Sequence, residues 1–176
     1  MNFLRITHTH DENFNKAWSL YEKSFPIYEK RTLETHEKAL DNENFYCTYI
    51  MDNNIFIGIL FYWKLDKYIY LEHFAIDESL RGKGYGSKAL KEFSSKNTNI
   101  ILEIDPPIDD ISIKRYNFYK SLGFKLYDFD HIQLPYRKNY EGYKLKILAQ
   151  GILLSLDDYN EFYDLMYKNL LPYCQN

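Results

Sequence analysis

The sequence predicts an α+β domain: a central mixed, mostly antiparallel sheet of about seven strands, flanked by helices and followed by a C-terminal helix. Three observations carry this. Seven runs rich in β-branched and aromatic residues alternate with five helical patterns in the order β-α-α-β-β-β-α-β-α-β-β-α. Three of those runs follow one another across short polar turns, as a meander does. The chain has 176 residues, 45% of them hydrophobic, enough to bury one sizeable core. With no internal repeat, low-complexity tract or linker, residues 1–176 read as a single domain, with 151–176 as a helical extension.

Each element has a local reason. "FLRIT" at 3–7 alternates apolar and polar residues as a short strand does, and 12–25 places Phe14, Trp18, Tyr21 and Phe25 on one helical face until Pro26 stops it. A second helix opens at Thr32, with Leu33, His36 and Leu40 along one side, and runs to the turn-like "DNEN". The loop between these helices, "FPIYEKR", is polar and aromatic. The meander is "FYCTYIM", the turn "DNN", "IFIGILFYWKL", and a strand ending near residue 76. A helix over 84–95 carries Leu90 and Phe93, and "IILEI" then runs into Asp105-Pro106-Pro107. The spacing predicts another helix over 111–122, stopped by Gly123, and "FKLYDF" and "YKLKIL" as the last strands. Ser155 with Asp158 three residues on signals the cap of a final amphipathic helix that turns Phe162, Leu165 and Met166 inward.

Composition narrows the function. A formal charge of −3 without any block of like charge gives no footprint for nucleic acid. The longest uncharged apolar run, 55–63, is too short to cross a bilayer, and the N-terminus lacks the features of a secretory signal, so no membrane partner and a cytoplasmic location are expected. Cys47 and Cys174 lie far apart, with no spacing that suggests a disulfide framework or a metal site. The 18 Tyr and 12 Phe read as core edges rather than as a functional surface.

What asks for an explanation is "IDESLRGKGYGSKALKEF" at 76–93, which spends three of seven glycines at alternate positions where a strand becomes a helix. Such a turn aims successive backbone N–H groups and the positive end of a helix dipole at one point, which makes an anion cradle. Glycine permits close approach and positive φ. The nucleotide P-loop frame G-x-x-x-x-G-K-[ST] fails here, and a dinucleotide G-x-G-x-x-G would need a third glycine where Ser87 stands. The pattern R-x-x-G-x-G is filled completely, by Arg81, Gly84 and Gly86.

That loop resembles the pyrophosphate loop of the GNAT superfamily, the acyl-CoA-dependent N-acyltransferases. "HFAIDESLRGKGYG" is similar to the family's fourth strand and turn, "LEI" to its fifth strand, and "FYKSLGF" to its Y-x-x-x-G-F signature; the likeness covers about residues 1 to 150. The resemblance implies an acyl-CoA N-acyltransferase-like fold and acetyl-CoA as cosubstrate, with no metal. The implied cofactor residues are Phe74, Ala75 and Ile76 at the strand end, Arg81, Gly82, Lys83, Gly84, Tyr85, Gly86 and Ser87 in the loop, and Ser112, where many members carry an asparagine that contacts the pantetheine arm.

The implied reaction is attack of an amine on the acetyl thioester. An alkyl amine, with a pKa of about 10.4, needs a base at neutral pH. Glu72 is the expected base, because some members place a catalytic histidine there, and Tyr119 the expected acid toward the departing sulfur. The alternative reading of Glu72 is an ion-paired strand residue. Tyr28, Tyr70 and Tyr136 are expected in the acceptor pocket. His73, alternating with Glu72, is expected to face away; His131 is a lesser candidate base, and Arg115 a possible anchor or a surface ion pair. Lys83 and Lys88 add charge near the phosphates or merely solubility. The function expected is N-acetyltransferase toward an amine of a small molecule or protein. The alternatives are a non-catalytic acyl-CoA-binding or regulatory module, and an interaction protein that forms a homodimer through its C-terminal helix.

Overall fold

A computed structural model describes residues 1–174. Asn53 and Asn54, both at positive φ, turn the chain between β2 (Phe45–Asp52) and β3 (Ile55–Leu65), and Asp66 does the same between β3 and β4 (Tyr68–Ile76). The meander is therefore set by its turns. It is preceded by β1 (Asn2–Ile6), α1 (Phe14–Ser24) and α2 (Leu33–Leu40). After it come α3 (Tyr85–Lys96), β5 (Ile100–Ile104), α4 (Asp110–Ser121), β6 (Lys125–Ile132), β7 (Lys144–Gln150) and α5 (Leu156–Leu170). The element order is the one the sequence predicts, with ends displaced by one to three residues.

The strands form one seven-stranded sheet in the order β1-β2-β3-β4-β5-β7-β6. All pairings are antiparallel except β4 with β5. One face packs α1, α2 and α5 over a core that includes Tyr21, Phe61, Trp63, Tyr70 and Phe162. The other packs α3 and α4 over Leu71, Leu90, Phe93, Leu102 and Phe124. The tyrosine-rich composition is spent largely here: Tyr21 and Tyr68 have buried rings whose hydroxyls bond the Arg31 amide and the Glu161 carboxylate. The extension is part of this core, since Phe162 and Met166 of α5 are buried in it. Ser155 and Asp158 form the expected capping box.

Two irregularities position the site. β4 and β5 pair only at Ile69 with Ile100 and Tyr70 with Ile101, after which the two strands part. The β3–β4 register jumps from Tyr62–Leu71 to Phe61–His73, which leaves Glu72 as the extra residue of a β-bulge. The fork opens beside this bulge.

Candidate active site

A cavity of about 730 Å³ occupies the fork and passes through the sheet. On the α3/α4 side its walls are Phe74, Ile76, Gly84, Gly86, Phe118 and Tyr119; on the other they are Phe25, Tyr28, Glu29, Glu103, Gln133 and Tyr136. Alternation along β5 produces this division. Leu102 and Ile104 join the α3/α4 core, while Glu103 points to the opposite face, toward Tyr70.

The glycine segment lines the first side. Gly82 and Gly84 have φ of +75° and +80°, and nothing lies within 4 Å of where their Cβ atoms would be. Gly84 is the N-cap of α3 and offers no side-chain cap, so the N–H groups of the first turn, including Tyr85, Gly86 and Ser87, face open space. The Arg81 guanidinium folds back, its Nε donating to the Ile76 carbonyl at 3.1 Å. A phosphate-bearing cofactor fits this cradle, which has positive dipole, exposed donors and no side chain in the way. Lys83 is exposed and lies outside the cavity wall, while Lys88 is paired with Asp52.

Tyr119 is buried on α4 and lines the cavity. Burial pushes its phenol up to about 12, against the opposing charge of Arg115, so at neutral pH it is a donor. Ser112 does not join it. Its hydroxyl accepts from the Ile108 and Asp109 amides in the capping box that starts α4, buried away from the cavity wall. The cofactor contact expected of Ser112 is therefore corrected to helix capping. Arg115 is paired with Asp105, the ion-pair alternative.

Glu72 is the main surprise. Its Oε1 accepts from Arg31 Nη2 at 2.6 Å and Tyr136 Oη at 2.7 Å; its Oε2 accepts from Arg31 Nη1 at 2.9 Å and Trp63 Nε1 at 2.9 Å. A carboxylate has about four acceptor sites, so this one is full. The side chains of Glu72 and Arg31 are both wholly buried, and Glu72 keeps surface only through its bulged main chain. Burial alone would push the Glu72 carboxyl up, but the Arg31 charge and the hydrogen bonds outweigh it and hold the group well below the usual carboxylate range. A base must have a free lone pair and some basicity, and Glu72 has neither. The expectation that it takes the acceptor's proton does not fit this geometry. Arg31, its partner, sits in a stretch that reads as a polar loop, with no signal in the sequence that it is buried.

The other sequence-derived residues divide similarly. Tyr28 and Tyr136 line the cavity, but the Tyr136 hydroxyl is committed to Glu72. Tyr70 is removed from the wall and donates to Glu103 Oε2 at 2.8 Å, correcting its placement in the pocket. His73 was expected to face away from Glu72; the bulge breaks the alternation and puts both on one face, with His73 Nε2 2.9 Å from the Glu29 carbonyl. Its ring is nonetheless a core histidine, packed edge-on against Tyr21 and Phe25. His131 is buried between Glu103 and Tyr159.

Among known proteins, the model of the Acetyltransferase (GNAT) family matches residues 10–124, which contain the fork, the cradle and Tyr119. The chain belongs to the GNAT acetyltransferase family. A solved Bacteroides thetaiotaomicron protein described as a GNAT-family acetyltransferase is 30% identical, with a TM-score of 0.90 and 98% of each chain covered. A Bacillus subtilis acetyltransferase solved in complex with CoA shares the fold at 15% identity, with a TM-score of 0.59, 86% of this chain and 99% of that one being covered. YjbC of Bacillus subtilis (strain 168), assigned as an acetyltransferase, is 32% identical over 69 residues, or 38% of this chain and 36% of its own length. Among the described residues of this GNAT protein, no helix is long and apolar enough to cross a membrane.

Proposed function

We propose that this protein transfers the acetyl group of acetyl-CoA to a primary amine of a small molecule or protein, by direct attack in a ternary complex. The observation that carries the reading is a cavity crossing the sheet with an anion cradle on one side and a carboxylate-lined chamber on the other, and with Tyr119 in its wall. Acetyl-CoA supplies an activated acetyl thioester; everything else is asked of the chain. The amides at 84–87, with Arg81 beside them, hold the pyrophosphate. The parted edge of β4, at Phe74, Ala75 and Ile76, offers backbone groups that β5 no longer pairs, which suits the amides of an extended arm. Tyr119, kept protonated by burial, gives its proton to the departing sulfur. Both described cysteines are unpaired and buried, in keeping with a reducing, cytoplasmic setting.

The test is thermal melting with acetyl-CoA, CoA and ATP side by side, followed by thiol release with an amine panel. A rise in the midpoint with both CoA species and none with ATP is expected, because a ligand that binds only the folded state stabilises it by mass action. No rise with CoA would sink the reading, and CoA binding without turnover on any amine would leave a binding module.

A further inference from the structure

We propose that the acceptor carries a second ammonium along an aliphatic chain, and that Glu29 holds that charge beside the ring of Tyr28. This rests on the amine-transfer reading above. It follows from matching the charges in the chamber wall. Of the carboxylates there, Glu72 is saturated by Arg31, Tyr136 and Trp63, and Asp105 carries the Arg115 guanidinium. Glu103 has a side chain 7% exposed and is already bonded by Tyr70 and His131. Glu29 takes one bond, from the Tyr143 hydroxyl at 2.7 Å on Oε1, and pairs with no cation among the described residues. A carboxylate has about four acceptor sites, so about three of these are open. The charged groups that face it are Asp105, His73 and Arg115, of which Arg115 is spent on Asp105. Burial raises the Glu29 carboxyl above its ordinary value of 4.5, against the Tyr143 bond. The folded chain thus holds a carboxylate here whose counter-charge it does not supply.

Two further observations point the same way. Tyr28 in the wall and Tyr140 beside it are 37% and 42% exposed, with ring centroids 6.1 Å apart, and Tyr143 stands edge-on to Tyr28 at 5.3 Å. Elsewhere Tyr46, Tyr68 and Tyr136 each have a lysine or arginine of the chain over the ring. Among the described residues none lies over these three, so their faces are open to a cation from outside. The wall also holds buried acceptors without donors. Ser24 Oγ has no partner, and His73, 3% exposed, gives its Nε2–H to the Glu29 carbonyl and leaves the Nδ1 lone pair of its neutral ring unmatched. An alkylammonium brings donors, a positive charge and apolar methylenes to this lining.

The chamber suits a small acceptor rather than a segment of protein. Arg137, in the loop after β6, donates from Nε to the Lys30 carbonyl at 2.9 Å and from Nη2 to the Arg31 carbonyl at 3.2 Å, and Tyr143 of the same connection bonds Glu29. The loop between α1 and α2 is thereby buttoned to the loop between β6 and β7. On its other side the Glu29 main chain is fixed by His73 to β4, just before the parted edge at Phe74, Ala75 and Ile76. The second ammonium therefore binds at a set reach from the thioester, and chain length is selected along with charge.

The experiment measures thiol release with diamines from 1,3-diaminopropane to 1,6-diaminohexane, with monoamines of equal length, and with a short peptide carrying adjacent lysines. Alongside it, 1,5-diaminopentane is titrated into the CoA-loaded protein by calorimetry. Diamines should exceed matched monoamines by about tenfold or more in kcat/KM, through KM, with one length preferred, and the advantage should shrink as salt is raised. In E29Q the ratio of diamine to monoamine should fall to near one and the calorimetric affinity for the diamine by about tenfold, while the CoA-induced melting shift stays that of the parent. Tyr28→Leu should lower the same ratio about threefold. A Glu29 that only braces its loop would weaken monoamines and diamines alike and leave the ratio where it was, which would overturn the proposal. Equal activity of the parent on monoamines and diamines, or a lysine peptide that outperforms every diamine, would overturn it too. Diamine binding that needs Glu29 but yields no thiol release would uphold the cation site and refute the transfer reading instead.

Discussion

Removing the Arg31 guanidinium, as Arg31→Met, tests whether Glu72 is a strut. The two side chains are wholly buried and joined by two charge-assisted bonds. Taking one partner from such a pair leaves a buried charge uncompensated, which costs about 3–5 kcal/mol. At about 2–4 °C per kcal/mol for a domain of this size, the midpoint should fall by roughly 6–20 °C. Methionine keeps much of the stem's contact with Phe45, Trp63 and Tyr136, over whose rings the guanidinium now lies, so the loss reports charge more than volume. The pH dependence has a definite sign. In the parent protein the folded-state affinity of Glu72 for a proton is depressed, so its contribution is present above the ordinary value of 4.5 and is lost as pH falls through the depressed one. In the variant, burial without a cation favours the protonated carboxyl, so the deficit should be largest at neutral pH and shrink on acidification. Urea unfolding followed by tryptophan fluorescence at pH 7.5 and pH 5 measures both. A second change, Glu72→Gln, should recover part of the loss. A cost below about 1 kcal/mol at pH 7.5, or a deficit that grows toward acid, would refute the strut.

Burial holds His36 neutral down to about pH 3, against 6.5 ordinarily, so the unfolded chain binds a proton that the folded one refuses. Stability attributable to it is full above pH 6.5 and declines as pH falls toward 3, and His36→Phe should flatten the unfolding free energy over that window in urea titrations. Tyr119→Phe should lower kcat by about 10²-fold while leaving the CoA-induced melting shift unchanged; equal loss of both would make it a packing residue. Gly84→Ala places a side chain at φ +80°, costing about 1–2 kcal/mol, and should also weaken CoA binding in calorimetry.

The sequence carries the order of elements, the meander, the cradle and Tyr119, because each rests on a local pattern: alternation, turn residues, closely spaced glycines, a short signature. What it does not carry comes from events between distant segments. Strict period-two alternation assigns Glu72 and His73 to opposite faces, and a single extra residue at the bulge cancels that rule. Nothing near Arg31 says that it will be buried, since its partner is 41 residues away and its neighbours are polar. Ser112 follows Asp109 at cap spacing, while the family position it occupies points instead to the cofactor arm. Glu103 stands in an apolar run where one acidic residue reads as a strand's exposed side; only the fork shows where that side looks.

The strand order has a consequence in time. β7 lies between β5 and β6, so β6 has no partner in the sheet until the chain has been made past it and doubled back. As the chain leaves the ribosome, the first four strands, each paired with the strand before it, can zip up while the far edge of β5 stays bare. Until Lys144–Gln150 arrives, His131 of β6 has no strand to bring it to Glu103, and Glu103 itself sits on an unpaired edge. A nascent chain can therefore complete its glycine cradle well before the chamber on the other side of the sheet is closed. Stalled or nicked copies are expected to be sticky rather than sluggishly active.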